Sequence, residues 1–164
     1  MTNEQVLAGL DPRVAHCAEV HIKLCKIEGI RFDLTQGARS FAAQLAIWNK
    51  GRTAPGEPCT HDGIRRSVGS CFEHPLGATV TNAKPGYSWH NWNRAYDGKI
   101  TTFEGDTTPD DVYDGPWSRV VELGERSGML AGGRWKHPDL PHFENHLGDT
   151  LGELIQAYPS GFAT

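Results

Sequence analysis

The ten residues SWHNWNRAYD, at 88–97, set a histidine and a carboxylate seven positions apart among two tryptophans, two asparagines and an arginine. Imidazole nitrogens and carboxylate oxygens are both ligands for zinc. On a helix His90 and Asp97 would share a face but stand about 10 Å apart, at about 1.5 Å per residue. That is too far for two ligands each about 2 Å from one ion. A straight strand would send them to opposite faces. The stretch must therefore bend, and Asn91, Trp92 and Asn93 are the place, since Asn tolerates left-handed backbone better than most residues.

A third ligand has to come from elsewhere, and HPDLPHFEN at 137–145 offers one. Pro138 and Pro141 exclude an ordinary helix interior, so His142 enters an extended segment, with Asp139 three residues before it. Two histidines and a carboxylate, with water at the fourth position, make a common catalytic zinc set. A second carboxylate nearby can take a proton from that water and later pass it to a leaving amine. With eight histidines and twenty acidic residues in the chain, spacing alone leaves open a packed His90 and a turn Asp97.

The elements that must position these groups are legible from periodicity. DPRVAHCAEVHIKLCKIEG reads as a helix capped by Asp11, with Pro12 in its first turn and Gly29 at its end. Val14, Cys17, Ala18, His21, Leu24 and Cys25 form its apolar stripe, which makes core packing the reading for Cys17, His21 and Cys25. IRFDLTQ reads as a strand and SFAAQLAIWNKG as a second helix ending at Gly51. RAYDGKITTF alternates like a strand, and DGPWSRVVELGERSGM reads as a helix capped by Asp114. PHFENH is a short strand and DTLGELIQAY a closing helix. Helices and strands do not alternate regularly, so the expected class is α+β.

Length suits a single domain spanning residues 1–164, and 38% hydrophobic with 22% charged residues suits a globular one. No run approaches the roughly 18 apolar residues of a membrane span, and MTNEQVLAGLDPRV lacks the basic head and apolar middle of a signal peptide. Synthesis in the cytoplasm and no stable membrane association are the expectations. A net charge of -4 argues against nucleic acid as the main partner.

Three motifs together resemble the D-Ala-D-Ala carboxypeptidase and L-alanyl-D-glutamate endopeptidase family of zinc metallopeptidases. SWHNWNRAYD is similar to its S-x-H-x-x-G-x-A-x-D motif, GGRWKHPDLPHFE to its G-G-x-W…D-x-P-H-F-E segment, and TQGARSFAAQLAIWNKGRT to its T-x-G-x-R-S…Q…G-R-T stretch. The resemblance implies the hedgehog/DD-peptidase fold, a small antiparallel sheet flanked by helices with one zinc ion at the sheet. It implies His90, Asp97 and His142 as zinc ligands, Asp139 as general base and acid, and Arg39 as the cation facing the oxyanion or substrate carboxylate. Ser88 would lie at the edge of the site and Gln44 in supporting hydrogen bonds. The chain departs from the motif at Asn93, where the family has glycine.

Trp89, Trp92 and Trp135 read either as walls of a substrate groove or as core. Glu144, two residues past His142, points to the same strand face and is a candidate partner for its imidazole. The Pro/Gly-rich stretch at about 53–87 is too long for a plain connection, and reads as a functional loop or folded insert. Within it Cys59, His61, Cys71 and His74 could form a second metal site, or Cys59 and Cys71 a disulfide. Glu104, Asp106, Asp110, Asp111 and Asp114 read as a solvated, capping run.

The function the resemblance implies is an endolysin-like, phage-type enzyme, a monomer, cutting the L-Ala–D-Glu bond of peptidoglycan stem peptides after release from the cytoplasm to the wall. A D,D-carboxypeptidase or dipeptidase trimming D-Ala termini is the alternative within enzymes. A non-catalytic zinc-binding, wall-recognition module is the alternative outside them.

Overall fold

The computed structural model describes residues 1–61, 64–105 and 115–162. In chain order the elements are α1 (Asn3–Ala8), α2 (Pro12–Ile27), β1 (Arg31–Gln36), α3 (Phe41–Asn49), β2 (Cys59–His61), β3 (Ile64–Arg66), β4 (Ala95–Thr102), α4 (Trp117–Arg126), β5 (Leu130–Ala131), β6 (His142–Glu144) and α5 (Leu151–Ala157). Short 3₁₀ turns at Trp89–Trp92 and Gly132–Arg134 precede β4 and follow β5. The class is α+β, with a small antiparallel sheet and helices, as the irregular order of elements implied. No described helix is long and apolar enough to cross a membrane.

The chain divides into two compact units. The first comprises Met1–Ala38 and Trp92–Thr150. Its sheet has the order β1-β4-β6-β5, and each neighbouring pair is antiparallel. α2 forms where expected: Asp11 accepts from the Arg13 N–H, Pro12 needs no donor partner in the first turn, and Gly29 (φ 72°) ends the helix. Its inward stripe of Val14, Ala18, His21 and Cys25 joins Phe32, Tyr96, Val120, Leu123 and Phe143 in the core.

His21 is the polar exception in that core, with no exposed surface. Its Nε2 lies 2.9 Å from the Val120 carbonyl oxygen, which can only accept, so Nε2 carries the proton. Nδ1 then accepts from the Tyr96 hydroxyl at 2.9 Å. Burial pushes the His21 pKa down to about 4, so the ring is neutral. Gly98 and Gly124 let Phe32 and Phe143 lie flat here, because a Cβ at either would come within 2.4 Å of the ring.

α4 starts at Trp117 with Pro116 at the cap position and no side-chain cap. The expected cap, Asp114, lies outside the described residues, as do Asp106, Asp110 and Asp111. α1 and β5 were not expected. α1 is a six-residue helix held by a capping box between Thr2 and Gln5, and β5 has only two residues, too short for a periodic pattern.

The second unit comprises Arg39–Asn91 and Leu151–Thr164. Ser40 caps α3 by accepting from the Ala43 N–H. The helix stops at Asn49, whose carbonyl collects the N–H groups of Arg52, Thr53 and Ala54. The 53–87 stretch is a folded insert built around the β2–β3 hairpin, with Cys59 opposite Arg66.

Candidate active site

β4 and β6 pair in the register Ala95–Glu144, Tyr96–Phe143 and Asp97–His142. This register sends Tyr96 and Phe143 into the core, where the two rings stack at 5.5 Å. Side chains alternate along a strand, so Asp97 and His142 share the opposite face. Asp97 Oδ1 lies 3.0 Å from His142 Nδ1. Glu144 Oε2 lies 2.9 Å from the other ring nitrogen, Nε2, and its Oε1 lies 2.8 Å from His146 Nε2. Burial disfavours charge on the His142 ring, but the hydrogen bonds and charges of Asp97 and Glu144 outweigh it and raise the pKa to about 9. Glu144 is also buried, which favours its neutral form, yet the two histidines hold its pKa below the ordinary value.

His90 sits in the 3₁₀ turn Trp89–Trp92 and is 3% exposed. Asn93 then adopts φ 60°, the left-handed bend inferred from His90 and Asp97 sharing one ion. Its carbonyl takes the Asp11 N–H at the start of α2. Asp97 and His142 thus offer an oxygen and a nitrogen 3.0 Å apart on one face of the sheet. Ligands about 2 Å from a tetrahedral ion are separated by about 3.3 Å, so this pair fits two positions on a divalent transition metal.

Asn91 and Arg94 of the same decade are tied to the surrounding backbone. Asn91 is buried, donates from Nδ2 to the Arg39 carbonyl and accepts at Oδ1 from the Gly86 N–H. The Arg39 N–H in turn donates to the His90 carbonyl. Arg94, 6% exposed, pairs with Asp149 and donates to the His146 carbonyl. The sequence placed Asn91 only in the bend and gave Arg94 no role, the available signal being the density of polar side chains in a motif flanked by tryptophans.

Arg39 donates from Nη1 to Gln44 Oε1 at 2.8 Å, and Gln44, fully buried, donates to the Ala83 carbonyl at 2.8 Å. Ser88 is half-buried and its carbonyl accepts from the Asn91 N–H. Asp139 is exposed, on a loop closed by the Gly132 carbonyl, which accepts from both Trp135 and Asp139 at 3.0 Å. A Cβ on Gly132 would lie 2.7 Å from the Asp139 carbonyl oxygen, so the loop requires glycine there.

The three tryptophans separate. Trp92 has no exposed surface and Trp89 is 8% exposed, so Trp92 cannot wall a groove and is packing instead. Trp135 is 44% exposed, with its ring 5.1 Å from that of His142. In the insert, Cys59, Cys71 and His74 come together within the same 4.8 Å limit, whereas the His61 side chain lies outside what is described.

An aspartate and a histidine face each other on a small antiparallel sheet, and a buried histidine sits in the turn that precedes β4; these are the donor types of a metallohydrolase, and comparison with known proteins gives the family. Residues 81–145 match the family described as D-alanyl-D-alanine carboxypeptidase. The chain is 30% identical over 146 residues to the peptidoglycan L-alanyl-D-glutamate endopeptidase CwlK of Bacillus subtilis (strain 168), covering 85% of this chain and 75% of that protein. It belongs to this family of peptidases. The crystal structure of the Serratia marcescens L-Ala D-Glu endopeptidase ChiX superposes with a TM-score of 0.49 at 18% identity, covering 96% of this chain and 90% of that one.

Proposed function

We propose that this protein is a zinc-dependent peptidoglycan endopeptidase that hydrolyses the L-Ala–D-Glu bond of stem peptides. The observation that carries the reading is the pairing of Asp97 with His142 on one face of the β4–β6 ladder, in a chain related over most of its length to an endopeptidase of that specificity. In this reading His90, Asp97 and His142 hold the ion, and residues 1–164 act as one catalytic domain. Bound zinc would supply Lewis acidity toward the scissile carbonyl and a water of lowered pKa.

The chain's own groups do the rest. Glu144 holds Nε2 of His142 and leaves Nδ1 turned toward Asp97, so that these two residues would hold the metal together. Asp139, exposed to substrate and solvent, accepts the proton of the attacking water and delivers it to the departing D-Glu amine. Arg39, steadied by Gln44, faces the negative charge that develops on the carbonyl oxygen or the substrate carboxylate. Ser88 lines the edge of the site and Trp135 supplies an apolar wall beside His142. The biological setting that goes with this reading is a monomeric, phage-type lysin acting on the wall after release.

The test is mass spectrometry of purified peptidoglycan digested with zinc-loaded protein, beside a chelated sample and Asp139→Ala. New stem peptides beginning with D-Glu, absent from both controls while Asp139→Ala retains zinc, are expected. Loss of terminal D-Ala alone would make the protein a carboxypeptidase. Retained zinc with several wall types uncut would make it a recognition module.

A further inference from the structure

The insert at 53–87 supplies none of the side chains given a role in that reaction, and its order needs a cause. Of the side chains described between Thr53 and Pro85, residues 61–64 set aside, those that are buried are Cys59 and Cys71, 6% and 4% exposed. Ordering each residue costs about 1–2 kcal/mol of backbone entropy. Two small buried side chains cannot offset that over such a length, and segments without a core are held by disulfides or structural metals instead.

The backbone brings specific ligands to one point. Glu57 and Ala78 exchange both of their backbone hydrogen bonds, and the Gly56 N–H donates to the Leu76 carbonyl. These bonds bring the two ends of the segment side by side. Gly69 donates to the Pro75 carbonyl and closes a tight loop that carries Cys71 and His74. Cys59 enters on β2, and its sulfur, that of Cys71 and a His74 ring nitrogen all lie within 4.8 Å of one another.

We propose that Cys59, Cys71 and His74 bind a thiolate-preferring divalent metal, zinc by class, in a structural site that organises the insert. Zn–S bonds of about 2.3 Å and Zn–N bonds of about 2.0 Å place tetrahedral ligands about 3.5 Å apart, inside the observed limit. Both thiols give their protons to solvent on binding, and the fourth position falls to water or another donor. The backbone N–H groups of Glu73 and His74 hydrogen-bond the Cys71 sulfur. Those N–H groups suit a thiolate. A disulfide would use neither them nor the histidine.

The measurement is cobalt titration of the metal-free, reduced full-length chain. A near-ultraviolet thiolate-to-cobalt charge-transfer band is expected, because the His90, Asp97 and His142 set contains no sulfur and cannot produce one. The band should persist in His90→Ala, vanish in Cys71→Ser, and be displaced by zinc. Zinc should also protect Cys59 and Cys71 from alkylation in the unaltered chain, a readout that holds even if Cys71→Ser does not fold. Free thiols without a band, a band that survives Cys71→Ser, or a chain whose Cys59 and Cys71 remain joined as a disulfide under reducing purification would each overturn the site.

Discussion

Glu144 bridges two histidines, with one carboxylate oxygen 2.9 Å from His142 Nε2 and the other 2.8 Å from His146 Nε2. On a strand His142 and Glu144 point the same way, so the imidazole and its partner come from one three-residue strand, His142–Glu144. The imidazole is thereby held from behind while Nδ1 turns toward Asp97.

Glu144→Gln keeps the size of that side chain and removes its charge. Zinc affinity is expected to fall by about 10–100-fold, read by competition with a chromogenic chelator. Unchanged affinity would show that packing alone orients the His142 ring.

Arg39 and Gln44 form a second supported pair. Arg39→Ala is expected to lower kcat by about 10²–10³-fold with zinc content unchanged. Gln44→Ala leaves the Ala83 carbonyl and the Arg39 guanidinium without this partner. It should cost about 1–3 kcal/mol in a urea titration. A variant of Arg39 that lost zinc as well as activity would contradict a role confined to the substrate.

Asn93 carries the left-handed bend, at φ 60°. Asn93→Gly restores the residue usual in the motif and should be close to neutral in stability. Asn93→Val should lose about 1–2 kcal/mol, since a β-branched side chain opposes that conformation. Equal stability of the two variants in urea unfolding would mean that the bend relaxes.

His21 makes stability depend on pH. Its folded pKa is near 4 against an ordinary 6.5, because burial disfavours the charged ring. Between those values the unfolded chain binds a proton that the folded chain does not. The stabilisation is thus complete above pH 6.5 and is lost as pH falls toward 4, at up to about 1.4 kcal/mol per pH unit. Urea titrations across this window should show that extra slope in the wild type and not in His21→Gln. Identical slopes would place the acid sensitivity elsewhere.

The longer helices and strands were legible because each carries its own local signal. Asp11, Pro12 and Gly29 bound α2, and its stripe faces inward because a helix repeats about every 3.6 residues. A bend within residues 91–93 followed from chain geometry once His90 and Asp97 were taken to share one ion, and the left-handed residue there is Asn93. What pattern could not supply was anything resting on pairing between distant segments. Only the Asp97–His142 register sets those side chains face to face, only burial separates Trp92 from Trp135, and only the backbone bonds of Gly56, Glu57 and Gly69 gather Cys59, Cys71 and His74. Sequence determines which groups can do chemistry and where the chain must turn, because those are properties of neighbouring residues. Which groups meet is decided by tertiary structure, because their separation depends on every element that packs between them.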